Sequence, residues 1–290
     1  MVLQYGYHPS IERGYLSAIE RSIALGASAV QLWMGNSKGY ASKVLPKKIY
    51  QPVAELVAEK EVFLIAHSPY ILNFARPLQN SEQGLKALQR YVNDLTNITN
   101  LGGVGSILHM GSNVKELKQT TIQAYENFVE NLWWVVEKMP DDAIIILENM
   151  AGGGTRMCCE MDSWSDFWNN HVDDELKKHL KWCVDTAHLF AAGEYNLSQR
   201  REAMRFYKDF DKKIGWQHLL CFHFNGSKSA LGSHVDNHAD IGPETSGLIA
   251  TKGLRQLARI AGATGKPLIL EVPIDDHTLV EQFELIESWF

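Results

Sequence analysis

Eight times along its 290 residues the chain passes from a short apolar run to a stretch with helical periodicity, and no feature narrows its possible folds more. The runs are Leu3–Tyr7, Ala29–Trp33, Val62–Ala66, Ser106–Leu108, Ala143–Leu147, Trp182–Val184, Leu219–Phe222 and Pro267–Leu270, each short enough for a buried strand. The stretches between and after them are Ile11–Leu25, Pro46–Lys60, Ser81–Leu101, Lys115–Met139, Asp162–Leu180, Leu197–Ile214, Gly247–Ala261 and His277–Trp289. Gly and Pro fall mostly where helices should stop, as at Gly26, Gly102 and Pro140. With no linker or low-complexity segment to divide it, this alternation predicts a (β/α)8 TIM barrel filling residues 1–290 as one domain. A doubly wound open sheet would place a phosphate loop after an early strand, and neither GxGxxG nor GxxxxGK[ST] occurs. Gly152-Gly153-Gly154 lacks the lysine and helix start of such a loop and reads as a flexible βα connection.

In a barrel the C-terminal ends of the strands converge on one face. Six consecutive runs end in residues of metal-ligand type: His67, His109, Glu148, Asp185, His223 and Glu271. Three more stand in the loops of that face: His188, three residues after Asp185, and the pair Asp236 and His238. A single histidine at a strand end is ordinarily a hydrogen-bonded core residue, but six ligand-type residues, three histidines and three carboxylates, on successive strands are not independent accidents. Buried carboxylates must be paired or neutralised, and two or three cations would balance Glu148, Asp185, Asp236 and Glu271 together. Imidazole and carboxylate without thiolate suit Zn2+ or Mn2+, and the histidine content favours zinc. Closely spaced ions serve phosphodiester hydrolysis: one lowers the pKa of a water, others stabilise the charge of the transition state and leaving oxygen.

The remaining histidines carry less. His171, His179 and His218 fall away from the ligand face and His277 opens the last helix, whereas His8 and His234 lie on the ligand side without being primary ligands. Four cysteines, Cys158, Cys159, Cys183 and Cys221, form no CxxC and read as reduced thiols. No apolar run approaches a bilayer span, and Met1–Ser10 shows neither a signal nor a transit peptide, so an intracellular, cytoplasmic location without a membrane partner is expected. A net charge of −6 argues against a generally basic nucleic-acid surface.

The ligand-type residues sit in segments that resemble endonuclease IV, the zinc-dependent apurinic/apyrimidinic endonuclease family. These are His67-Ser68-Pro69-Tyr70, His109-Met110-Gly111, Leu147-Glu148-Asn149 with Ala151-Gly152-Gly153-Gly154, Asp185-Thr186-Ala187-His188-Leu189-Phe190-Ala191-Ala192-Gly193, and His223-Phe224-Asn225-Gly226-Ser227-Lys228 followed by Asp236-Asn237-His238 and Gly242. Glu271-Val272-Pro273 resembles the family's closing Glu-x-Pro.

The resemblance spans the chain and implies three zinc ions, with Mn2+ an option at one position. His67 and His109 would bind the first with Glu148 bridging; Asp185, His223 and Glu271 would complete the second; His188, Asp236 and His238 would hold the third. Glu148 and Glu271 would be the catalytic carboxylates. It further implies a monomer that cleaves duplex DNA 5′ to an abasic site, leaving a 3′-hydroxyl and a 5′-deoxyribose phosphate, and that trims blocked 3′ ends. Tyr70 and Ile71 occupy the place of a pair that penetrates the DNA. Lys38 stands in the loop where the family has an arginine, and Lys228 would be a further DNA contact. Two departures are Gly226, where an Asp is usual before Ser-Lys, and Gly242-Pro243-Glu244, in place of Gly-Glu-Gly. Three divalent ions would add about +6 where the phosphate must sit, which leaves the formal balance near zero.

Two rival readings follow from the same residues. A single-metal sugar isomerase or epimerase of the xylose-isomerase-like barrels would need Glu148, Asp185, His223 and Glu271 alone, leaving the other histidines without work. A catalytically silent lesion-binding protein would be expected to lack a ligand, and none is missing. Among the tryptophans, Trp133, Trp134, Trp164 and Trp168 read as helix packing and Trp33 as a substrate-facing residue.

Overall fold

The structure, a computed structural model, describes residues 3–242, 245–272 and 276–290. Eight parallel strands close into a barrel: β1 (Tyr5–Tyr7), β2 (Ala29–Trp33), β3 (Phe63–His67), β4 (Gly105–His109), β5 (Ile144–Glu148), β6 (Leu180–Asp185), β7 (Leu219–His223) and, after an antiparallel pair β8 (Gly226–Ser227) and β9 (His238–Ala239), β10 (Leu268–Leu270), which pairs with β1. Around them run α1 (Tyr15–Ala24), α2 (Lys47–Glu59), α3 (Glu82–Asn100), α4 (Thr121–Val136), α5 (Met161–Asp166), α6 (Asp174–Lys177), α7 (Thr186–Ala192), α8 (Arg200–Lys213), α9 (Thr251–Thr264) and α10 (Asp276–Glu287). The expected barrel is therefore present. No helix among the described residues is long and apolar enough to cross a membrane.

Local chemistry moves several boundaries. The predicted helix Lys115–Met139 begins only at Thr121, because Lys118 takes a left-handed conformation (φ 51°) and Thr120 with Gln123 forms a capping box. The stretch Asp162–Leu180 is broken into α5, a π-helical turn at Phe167–His171 and α6, whose first turn is capped by Asp173. Trp164 and Trp168 pack on Trp182 of β6, as helix-packing residues should. Helix α7 has no counterpart among the predicted stretches: all seven of its residues are buried, so no amphipathic period announces it.

Strand alternation divides the barrel interior into two layers. Ala29, Ile65, Ile107, Ile146, Cys183, Cys221 and Ile269 fill the lower one as an apolar cluster. Two residues further along the chain, at or just past the strand ends, stand Gln31, His67, His109, Glu148, Asp185, His223 and Glu271. His8, two residues after Gly6 of β1, completes a ring of eight polar residues, one per strand. Interior Ile and Cys side chains thus form the floor under every ligand-type residue that the sequence places at a strand end.

Candidate metal centre

Three groups of ligand atoms, each within 4.8 Å of one another, form at the barrel mouth: His67, His109 and Glu148; Glu148, Asp185, His223 and Glu271; Asp185, His188 and His238. Glu148 and Asp185 each belong to two groups, so the three make one continuous centre. His109 Nε2 and His67 Nε2 lie 2.9 and 3.4 Å from Glu148 Oε2, while His223 Nδ1 lies 2.8 Å from Glu148 Oε1 and 3.0 Å from Glu271 Oε2. In the third group Asp185 takes a place beside the two imidazoles, and Asp236 approaches them from the exposed side, 3.1 Å from each Nε2. All nine ligand-type residues are thereby brought together.

Their hydrogen bonds suit a cation. His67 Nδ1–H donates to the Ser68 carbonyl at 2.7 Å and His188 Nδ1–H to the Asn149 carbonyl at 2.8 Å. In the neutral rings Nε2 then holds a lone pair directed at a carboxylate, an arrangement that repels unless a proton or metal ion lies between. Glu148 Oε2 and His238 Nε2 are moreover buried and, for all the close approaches above, make no well-aligned hydrogen bond among the described residues. The donor set, five imidazoles and four carboxylates, fits divalent zinc or manganese better than calcium or magnesium, which favour all-oxygen shells.

Electrostatics agree with that geometry. Burial alone would depress the buried histidines, but Asp185, Asp236 and Glu148 lift His188 to about 10, and Asp185, Asp236 and Glu271 lift His238 to about 9. His223 is raised well above its ordinary value by Glu271 and Glu148 against the same burial penalty. Conversely Glu148 and Glu271 are held well below the carboxylate range, burial notwithstanding, by the adjoining histidines. Without metal, protons on His188, His223 and His238 offset part of the carboxylate charge.

Several supports escaped the sequence reading. Asn225 donates to Asp185 Oδ2 at 2.7 Å and accepts from the Glu271 amide at 2.8 Å; Asn149 Oδ1 accepts from the Asp185 amide at 2.8 Å. Both stand in the quoted motifs, and their neighbouring ligands hid them. Gln31 carried a signal that could have found it: a lone amide in the otherwise apolar run Ala29–Trp33, on the inward side. Gly226 is also explained, since a Cβ there would meet the Asp240 and Ala239 carbonyls at 2.6 and 2.9 Å. The Pro243-Glu244 departure and Pro273 lie outside the described residues.

The other sequence-derived candidates occupy the rim. Tyr70 and Ile71 are 60 % and 41 % exposed, in the loop after β3. Tyr70 borders two cavities: one of 550 Å³ shared with His8, Trp33, His238 and Glu271, the other of 280 Å³ shared with His109, His188, Arg156 and Asp236. The Trp33 ring centroid lies 5.0 Å from that of Tyr70 and 4.8 Å from that of His67, which sets it beside the centre. Lys38 and Lys228 are exposed, in the loops after β2 and β8, and neither joins the cluster. His234 packs on Gly152, where any Cβ would fall 2.3 Å from its Nδ1. Sequence reasoning missed what holds the Lys38 loop: Arg90 of α3 donates to the carbonyls of Asn36, Gly39 and Ala41, and Asn97 bonds both Lys43 and Leu45.

Comparison with known proteins places this geometry in context. Residues 19–289 match the family described as the xylose isomerase-like TIM barrel. A protein of Acanthamoeba polyphaga mimivirus bearing the name endonuclease 4 is 31 % identical over 301 residues, covering 100 % of this chain and 94 % of its own. One of the same name from Symbiobacterium thermophilum is 30 % identical over 278 residues, covering 95 % of each. The crystal structure of endonuclease IV from Thermus thermophilus superposes with a TM-score of 0.81 at 23 % identity, over 99 % of this chain and 98 % of that one, and so shares the fold.

Proposed function

Because the chain belongs to the endonuclease IV family, within the xylose isomerase-like TIM barrels, we propose that it is a DNA-repair enzyme that hydrolyses the phosphodiester 5′ to an abasic site in duplex DNA, leaving a 3′-hydroxyl and a 5′-deoxyribose phosphate. The protein is a metal-dependent nuclease of the hydrolase class. Trimming of blocked 3′ ends at the same centre, action as a monomer and a cytoplasmic location complete the proposal.

The observation that carries it is the linkage of three ligand groups through Glu148 and Asp185. A sugar isomerase with one ion would use the group of Glu148, Asp185, His223 and Glu271 and would have no use for the other two. Zinc is the preferred ion at each, with manganese acceptable at one. His67, His109 and Glu148 would hold the first, Glu148, Asp185, His223 and Glu271 the second, and His188, His238, Asp185 and Asp236 the third. When bound, such ions supply Lewis acidity, making a water nucleophilic at neutral pH and neutralising charge on the phosphate.

The protein's own groups do the rest. Glu148 gives one carboxylate oxygen to the His67 and His109 side and the other to His223, which fixes the spacing of the groups. Glu271 closes the middle group and borders the larger of the two cavities, where the reacting phosphate would lie. Tyr70 and Ile71, projecting from the rim, would enter the duplex at the gap left by the missing base, and Lys38 and Lys228 would contact backbone phosphates.

A duplex containing one abasic site tests this directly. Purified protein is expected to nick it to an end that a polymerase can extend, to lose the activity on dialysis against a chelator, and to regain it with zinc. Intact substrate after incubation with excess zinc would sink the proposal, and a content of one metal ion per chain would remove its trinuclear form.

A further inference from the structure

Of the eight ring positions, only His8 and Gln31 belong to none of the three ligand groups. Gln31 is fully buried, and its amide touches three neighbours. Its oxygen lies 2.7 Å from His223 Nε2, and its nitrogen lies 2.6 Å from Glu271 Oε1 and 3.1 Å from His8 Nδ1. Only this orientation of the amide is consistent with its surroundings: turned over, its oxygen would face the Glu271 carboxylate oxygen with no proton between them.

The donors and acceptors then follow one another in sequence. An amide oxygen only accepts, so His223 carries a proton on Nε2 and directs Nδ1 toward Glu148 and Glu271. His67 and His188 are set the other way round, with Nδ1–H engaged by backbone carbonyls. On the far side the amide N–H groups donate to Glu271 and to His8 Nδ1, so that His8 carries its own proton on Nε2. That atom is buried without a partner among the described residues, on a ring that borders the 550 Å³ cavity.

We infer that Gln31 is a positioning residue of the metal centre. It selects Nδ1 as the face that His223 offers to a cation, holds Glu271 beside it, and leaves His8 as an N–H donor for an oxygen of the molecule that enters the cavity. The inference rests on reading the cluster as a metal site. Its test therefore measures metal directly, without any DNA substrate.

Gln31→Leu removes all three contacts, whereas the nearly isosteric Gln31→Glu keeps an acceptor for His223 and removes both donors. Zinc affinity is read by competition with a chromophoric chelator, and the nitrogen bearing each proton or metal by two-bond 1H–15N spectra of the zinc-loaded protein. In the wild type His223 is expected to show metal on Nδ1 and a proton on Nε2, and His8 a proton on Nε2. Gln31→Leu is expected to weaken one ion by about 10- to 100-fold and to release the His8 ring into a mixture of tautomers. Gln31→Glu is expected to release His8 while the His223 signature stays, and it carries the test should Gln31→Leu not fold. Variants with wild-type zinc affinity and unchanged histidine spectra would overturn the role of Gln31 alone. A wild-type protein that takes up no zinc would overturn the metal reading with it.

Discussion

Glu148 is the residue on which the centre turns, since His67, His109, His188 and His223 all lie within 3.5 Å of its two oxygens. Glu148→Gln would keep the shape and remove the charge. It is expected to lower metal affinity by more than the ~100-fold that outer contacts to ligands are worth, with nicking lost in parallel; zinc content and single-turnover rates measured on the same preparation check this. Wild-type metal content in that variant would contradict the bridging role. Protons compete at the same atoms. His188 at about 10 and His238 at about 9 hold protons at neutral pH when no metal is present, so zinc must displace them. Zinc affinity is therefore expected to rise with pH up to about 10, with proton release on binding in weakly buffered solution; a pH-independent affinity would argue against these histidines as ligands.

At the scale of elements, the strands present the ligand-type residues and α3 organises the Lys38 loop, the one proposed to contact DNA. Arg90 pairs with Asp94 while donating to three carbonyls of the Lys38 loop, Asn93 bonds Ser42, and Asn97 holds residues 43 and 45. These residues follow at helical spacing along one face of a single helix, so the loop is bound to a rigid element. Tyr40 extends the link to Ile71 in the next loop through its hydroxyl. Removing one member of a buried ion pair costs about 3–5 kcal/mol, which makes Arg90→Ala a stability variant; Arg90→Lys keeps the charge and loses the planar fork. Arg90→Lys is expected to raise KM for damaged duplex by roughly tenfold, equivalent to ~1.4 kcal/mol, with kcat and zinc content kept and faster proteolytic cleavage between residues 36 and 45. An unchanged KM would show that the loop takes no part in binding. The sequence could not display this clamp, because Arg90 and Asn97 lie 54 residues from the carbonyls of Asn36 and Lys43.

For the whole molecule, charge is distributed by face. Glu61 and Asp141-Asp142 precede strands and lie on the side opposite the centre, while Lys38, Arg76, Arg156 and Lys228 stand in the loops around it. The acidic cluster also couples stability to pH. A histidine raised by carboxylate partners stabilises the fold fully below its unfolded value near 6.5 and ceases to as pH climbs through its folded value, here about 9 for His238 and about 10 for His188. The melting temperature of metal-free protein is expected to fall from pH 7 to pH 10, while zinc-loaded protein, with no such protons to lose, changes less; calorimetry of both forms compares the slopes, and equal slopes would contradict the coupling. By itself the sequence determined the barrel and the nine ligand-type residues, because strand period and strand-end chemistry are local patterns that repeat around a closed sheet. Tertiary structure alone decided that Asp185 belongs to two groups, that His8 and Gln31 complete the ring, that α7 carries His188, and that Arg90 anchors a loop. Those facts depend on which atoms of distant segments come within hydrogen-bonding or ligand distance of one another, and only closure of the barrel fixes that.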